Sequence, residues 1–330
     1  MMHVRLRAQF LSALILLVVV SPGAAASATS GGGKLKVLFD TDIGSDIDDA
    51  VALAYLLSQP ECELLGITTV TGEPEKRAEM ASALCHVAGR PDIPIYPGAD
   101  LPLAIEQRQP KAPQYAVLGN RTRKTEFPRG EAIEFMRRTI RAHPGEVTLL
   151  AVGPLTNVAL LFRTDPEIPS LLKEVVLMCG QFDEKPGSGN KEWNAMLDPE
   201  ATAIVFKSNP PNLRSYGLDV TLKVVMSAQD LADHFAEDAR LRLVLEFAQV
   251  WFEKQKEVFF LDPLAAVSVF ERDICEMERG RTTVVLNDGK DKGRTLWEPS
   301  VDGPQEVAVQ VIPERFFEAY FEHLQAGVLK

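Results

Sequence analysis

Five aspartates, Asp40, Asp42, Asp46, Asp48 and Asp49, fall within the ten residues DTDIGSDIDD at 40–49. Clustered carboxylates repel one another and hold protons to higher pH than usual unless a cation neutralises them. Hard divalent ions bind oxygen ligands at roughly 2.0–2.6 Å, so Ca²⁺ or Mg²⁺ binding is the chemistry this spacing suggests. The plainer reading is helix N-capping plus a solvated acidic turn, because a helix N-terminus favours one or two acids on its own. Five exceed what that end stabilises. Gly44 supplies the backbone freedom for a tight turn among them.

Two further readings compete. The spacing of Asp40 and Asp42 fits the start of an EF-hand loop, but the strand-like KVLF precedes it, Gly44 stands at the fifth position and Ser45 where the loop's glycine belongs. An Asp-x-Asp after a first strand also resembles the haloacid dehalogenase phosphatases, with Asp40 as nucleophile. That reading leaves Asp46, Asp48 and Asp49 without a role.

The elements that must position this loop alternate along the chain. Apolar, β-branched runs at 35–39, 64–70, 93–96, 147–152, 175–178 and 213–218 predict strands, and 48–58, 75–88, 130–142, 154–162 and 197–207 predict helices. This is the pattern of an α/β fold: a single domain with a central, mostly parallel sheet, helices on both faces and a Rossmann-like core. Beyond 226 the pattern turns helical, at 228–256 with a break and at 263–270, and short strands follow around 282–286 and 306–311. These read as a helical cap and closing strands of the same domain, since no Pro/Gly/Ser-rich linker intervenes. In an open α/β sheet, ligands bind beyond the C-terminal ends of strands, where 40–49 lies. The Pro-punctuated stretch 107–129 reads as a lid or binding loop.

Composition narrows the class. The chain has 330 residues, 46% apolar and 25% charged, which excludes disorder, collagen and coiled coil. Residues 1–28 read as a signal peptide: basic to Arg7, apolar from Phe10 to Val20, then SPGAAASA. A linker at 29–34 and a domain at 35–330 follow. Without Arg5 and Arg7, 33 basic residues face 46 acidic ones, about −13. So acidic a chain, with no basic stripe, suits neither nucleic acid nor an anionic membrane after signal removal. A secreted or periplasmic location would permit a disulfide, with Cys62 and Cys85 the nearest pair; buried free cysteine is the expectation.

Beyond the acidic loop the chain resembles the inosine-uridine-preferring nucleoside hydrolases. The likeness rests on the Asp-x-Asp-x-Gly…Asp-Asp loop and, in order, on GITTVTG at 66–72, IPIYPGADLPL at 93–103, AVGPLTNVAL at 151–160, VVLMCG at 175–180, KEWNAMLDPEATAIVF at 191–206, YGLDVT at 216–221 and LDPLAAV at 261–267. The resemblance implies a Ca²⁺ ion held by Asp42, Asp49, Asp262 and the carbonyl of Val152. It implies Asp42 as general base, Asp48 or Asp46 on the ribose hydroxyls, Glu192 and Asn194 holding the sugar, and Trp193 and Met178 near sugar or base. Asn157 and Asp219 read as structural hydrogen bonders. The implied partner is a small-molecule ribonucleoside, and a homodimer or homotetramer stays open.

The chain also departs from that pattern. Leu261 stands where the family usually has the His that assists the leaving base, and Glu73 where many members have Asn. Residues 107–129 lack the family's usual loop. The expected function is therefore an exported, Ca²⁺-dependent hydrolase releasing base and ribose from ribonucleosides or a related N-riboside. The alternative is a catalytically weak homologue that binds ribose or nucleoside.

Overall fold

The apolar run Leu35–Thr41 forms strand β1, which is almost wholly buried because helices cover the sheet on either side. Parallel strands covered in this way read as unbroken apolar runs. The computed structural model describes residues 33–182, 191–236 and 238–326. The expected signal peptide and linker residues 29–32 lie outside the described residues.

From β1 the chain alternates: α1 (Asp48–Ser58), β2 (Cys62–Thr69), α2 (Pro74–Val87), β3 (Ile95–Pro97), α3 (Ala132–Ala142), β4 (Val147–Ala151), α4 (Thr156–Thr164), α5 (Ile168–Leu171), β5 (Glu174–Met178), α6 (Trp193–Leu197), α7 (Pro199–Lys207), β6 (Leu213–Tyr216) and α8 (Leu218–Thr221). The first six strands lie in the order β3-β2-β1-β4-β5-β6, all parallel. In this doubly wound order the connections change direction between β1 and β4, which opens a crevice at their C-terminal ends. The helix expected over 197–207 is α7, two residues shorter at its start, and the short α6 before it is not foreseen. Asp198 ends α6 and caps α7 by accepting from Ala201 N at 3.0 Å, and Pro199 takes the first position of α7.

The second half contains β7 (Val225–Ser227), α9 (Ala228–Phe235), α10 (Ala239–Phe252), β8 (Glu257–Phe259), α11 (Leu261–Ser268), β9 (Cys275–Val284), β10 (Thr295–Pro299), β11 (Gln305–Val311) and α12 (Pro313–Ala326). Strands β7 and β8 pair with each other; β11 joins β6 in parallel, and β9 and β10 extend that edge antiparallel to make nine strands. The closing strands thus begin at Cys275, earlier than expected, and include β10, which the sequence pattern does not reveal. Helix α12 is likewise unanticipated: Phe316, Tyr320 and Leu324, on one face, are buried, and Tyr320 Oη donates to Val51 O of α1 at 3.1 Å.

The described residues from Lys34 onward form one compact unit. The sheet separates two apolar clusters, with Val37 and Phe39 in one and Leu38 in the other, as the two-residue strand period requires. All four cysteines are buried and unbridged. Among the described residues no helix is long and apolar enough to cross a membrane.

Candidate active site

Strand β1 ends at Thr41, and the chain turns through Gly44 (φ 118°) into α1, whose first turn carries Asp48 and Asp49. A Cβ at Gly44 would approach Met80 Sδ to 2.9 Å, so the turn needs glycine for conformation and for space. Helix α11 packs along α1 and carries Asp262 in its own first turn. Two helix N-termini, each a partial positive charge, therefore share one acidic floor. Asp262 N donates to Asp48 Oδ2 at 3.1 Å, tying the two helices together there.

Carboxylate oxygens of Asp48, Asp49 and Asp262 come within 4.8 Å of one another, and all three residues are buried. Asp42, expected among the metal ligands, lies beside them: its N–H donates to Asp49 Oδ1 at 3.1 Å, and Thr41 Oγ1 donates to the same oxygen. Gly153 makes room for it, since a Cβ there would stand 2.8 Å from Asp42 Oδ1. Burial and then the charges of their neighbours hold the carboxyls of Asp48, Asp49 and Asp262 well above the usual carboxylate range. Asp46 rises to about 7, from burial first and then from the charge of Asp42. An all-oxygen set this short of positive charge fits a hard divalent cation.

These residues line a cavity of about 330 Å³ together with Ser45, Gln109, Val152, Met178, Glu192, Trp193, Asn194, Trp251 and Leu261. Every residue singled out from the sequence as a ligand or substrate contact is thus brought to one place, but several have further duties. Glu192 caps α6: its carboxylate accepts from the N–H groups of Asn194 (2.6 Å), Ala195 (2.8 Å) and Gly180 (3.0 Å). Burial raises its carboxyl to about 6 against these three bonds. Asn194 Nδ2 donates to Val152 O at 2.7 Å and to Met178 O at 3.1 Å, so it joins the ends of β4 and β5. Trp193 is half exposed, which removes a core-packing role.

Asp40 is wholly buried and does not line the cavity. Its Oδ1 accepts from Asn157 Nδ2 at 2.7 Å and from Thr68 Oγ1, while burial pushes its carboxyl up to about 7. This removes the phosphatase reading, which required an accessible nucleophile. Asn157 and Asp219 are structural, as expected: Asn157 also accepts from Ala99 N at 2.8 Å, and Asp219 accepts from Phe182 N.

Two residues not foreseen complete the floor. Arg77, inside α2 and fully buried, donates to Gly72 O (2.8 Å), Ile43 O (3.1 Å), Ser45 Oγ (3.0 Å), Lys111 O (3.0 Å) and Asp42 O. It ties the acidic turn to the 107–112 segment and offsets the charge of Asp42 and Asp49. Gln109 bridges the cavity: its Nε2 donates to Asp42 Oδ2 and its Oε1 accepts from Trp193 Nε1. An arginine in an alanine-rich helix face was the one sequence signal for Arg77; Gln109 left none.

A family profile described as inosine-uridine preferring nucleoside hydrolase matches residues 37–318. The chain belongs to that family. It is 30% identical over 300 residues to the inosine-uridine preferring nucleoside hydrolase of Leishmania major, covering 87% of this chain and 95% of that protein. It is 31% identical over 267 residues to uridine nucleosidase 1 of Arabidopsis thaliana, covering 76% and 78% respectively. A solved plant nucleoside hydrolase superposes with a TM-score of 0.76 at 27% identity, covering 88% of this chain and 99% of that one.

As a family member the chain is a hydrolase acting on N-glycosyl bonds. Its departures from the family pattern now have structural settings. Glu73 adopts a left-handed backbone (φ 60°), a conformation asparagine tolerates well, and caps no helix N–H. Its carboxylate instead holds the 107–112 segment, accepting from Ala112 N at 3.0 Å, Lys76 Nζ at 2.7 Å and Lys111 Nζ at 3.3 Å. Burial pushes that carboxyl up, but these bonds together outweigh it and bring it to about 2. Leu261 lines the cavity directly beside Asp262.

Proposed function

We propose that the protein is an exported, Ca²⁺-dependent hydrolase that cleaves ribonucleosides to base and ribose. The observation that carries this reading is the convergence of Asp48, Asp49 and Asp262 with Asp42 on the floor of one 330 Å³ cavity. Asp42, Asp49, Asp262 and the Val152 carbonyl would hold the ion, with Asp48 close enough to share it. When bound there, Ca²⁺ would supply a positive charge able to acidify water and to attract the ribose 2′- and 3′-hydroxyls.

The chain's own residues do the rest. Asp42 takes the proton of the water that attacks the anomeric carbon, and Gln109 Nε2 fixes the orientation of its carboxylate. The oxocarbenium character that develops on the sugar is stabilised by the surrounding carboxylates, which are preorganised and need no rearrangement. Asp46 and Asp48 face the ribose hydroxyls, and Glu192 and Asn194 shape the sugar's other side.

Reducing-sugar release from a ribonucleoside panel, with Ca²⁺ and with chelator, tests the reading. Ca²⁺-dependent release that Asp42→Ala abolishes is expected; no release from any nucleoside, or release indifferent to Asp42→Ala, would overturn it. Export rests on residues 1–28 and is tested by N-terminal sequencing of the protein recovered outside the cytoplasm. A second reading, a weakly catalytic binder of ribose or nucleoside, is motivated by Leu261. Calorimetry showing Ca²⁺-dependent ribose binding without turnover over days would favour it.

A further inference from the structure

The proposed reaction leaves open which base departs, and the cavity lining narrows the choice. We propose that the preferred substrates are ribosides whose base carries a positive charge while attached to the sugar, such as a pyridinium or an N7-alkylated purine, and leaves as a neutral molecule.

The lining divides by chemistry. The carboxylates and the Val152 carbonyl suit a polyhydroxyl sugar; Trp193, Trp251 and Leu261 form the apolar remainder that is left for a base. That remainder has no hydrogen-bond donor to spare among its described residues. Trp193 Nε1 donates to Gln109 Oε1 and Trp251 Nε1 donates to Glu257 O at 3.0 Å; Gln109, on the sugar side, gives an Nε2 hydrogen to Asp42. Leu261 offers nothing polar. Among the described residues, what is left for the base is indole surface and a leucine.

A neutral base such as uracil or hypoxanthine leaves with the electron pair of the broken C1′–N bond and becomes an anion unless a proton reaches it. Here an anion would depart past six carboxylates, Asp42, Asp46, Asp48, Asp49, Glu192 and Asp262, with no uncommitted donor among the described residues of the apolar wall. A cationic base reverses both difficulties. As the C1′–N bond breaks, its pair returns to the ring nitrogen and cancels the positive charge. Water's oxygen bonds to C1′, its proton passes to Asp42 and then to solvent, and the products are neutral base, ribose and one proton. No acid catalyst is needed.

The electrostatics act in the same direction. Indole faces attract cations, and a cation in this acidic cavity is drawn further in. During bond breaking the positive charge moves from the base onto the sugar, toward the carboxylate floor. The interaction therefore strengthens in the transition state, which is what lowers a barrier.

The test compares matched pairs on the full chain with Ca²⁺: guanosine against 7-methylguanosine, and uridine against N-ribosylnicotinamide. Each kcat/KM is divided by the uncatalysed hydrolysis rate, so that intrinsic leaving ability cancels. The cationic member of each pair is expected to lead by about 100-fold, the scale on which a missing general acid penalises neutral bases. A neutral member that equals or exceeds its cationic partner overturns this inference and leaves the hydrolase reading standing; release from neither pair overturns both. Trp251→Leu, checked for fold by circular dichroism, is expected to raise KM for 7-methylguanosine about fivefold more than for guanosine. An equal effect on both removes the indole from the explanation.

Discussion

The two ends of the central sheet treat buried carboxylates in opposite ways. At the N-terminal end, Glu174 on β5 is neutralised within the chain: Arg214 Nη2 donates to it at 3.0 Å, Arg272 Nη2 at 2.7 Å and Thr148 Oγ1 at 3.0 Å. At the C-terminal end, Asp42, Asp48, Asp49 and Asp262 have no comparable pairing among the described residues: of the four, Arg77 offsets the charge of Asp42 and Asp49 alone, and it is largely committed to backbone carbonyls. The first arrangement spends its charges on the fold. The second keeps them uncompensated, and so available to an ion and an electron-poor sugar, at a cost in stability that function requires.

The contrast breaks most sharply with Asp42→Asn. Loss of the general base is expected to lower kcat/KM about 10³-fold, within the range for such groups. The same change removes a like charge from the floor, so the melting temperature of the chelator-treated protein should rise. A fall in both would place Asp42 with Glu174 as a structural acid.

Arg214→Met is the mirror experiment. Breaking a buried ion pair by removing one partner costs about 3–5 kcal/mol, because the carboxylate left behind stays buried. Urea unfolding should register that loss while kcat/KM per folded molecule stays unchanged.

Ligand and proton linkage sharpen the comparison at smaller scale. Ca²⁺ at a hundred times its dissociation constant should stabilise the protein by about 2.7 kcal/mol, read as a rise in melting temperature that chelator reverses. Without metal, Asp40 and Asp46 have folded-state values near 7 against 3.8 for the free side chain. Between those values the folded protein holds more protons than the unfolded one, so their contribution to stability is full below pH 4 and is lost as pH rises toward 7. A melting series from pH 4 to 8 with chelator should slope downward from this source, and saturating Ca²⁺ should flatten it.

The smallest effect is expected from Gln109→Leu. It removes one hydrogen bond to Asp42 and one to Trp193, and about a tenfold loss in kcat with little change in stability is the expected result. A loss confined to KM would assign Gln109 to substrate contact and not to the orientation of Asp42.

How legible was this site? The acidic loop stands out because its five aspartates fall within ten residues of the chain, and Glu192, Trp193 and Asn194 because they form one motif. Of α6 and α7 only the second is visible in the sequence pattern, since the short α6 depends on Glu192 capping its start and Asp198 ending it. Trp251 had no local mark: it sits in a helix whose apolar residues all look alike until the packing of α10 against the rest selects one for the cavity. Gln109 lay in a segment without periodicity, and its role exists only because Arg77 and Glu73 hold that segment over the acidic turn.

By itself the sequence determined the alternation of strands and helices, hence the doubly wound sheet, and it determined that acids gather after the first strand, because periodicity and local charge density are properties of neighbouring residues. Only the tertiary structure decided which acids meet. Asp262 reaches Asp48 across more than two hundred residues because α1 and α11 pack side by side, Asp40 is withdrawn behind Thr68 and Asn157, and Trp193 and Trp251 face the same space. Those outcomes depend on which surfaces the apolar core brings together, and no local pattern in the chain records that.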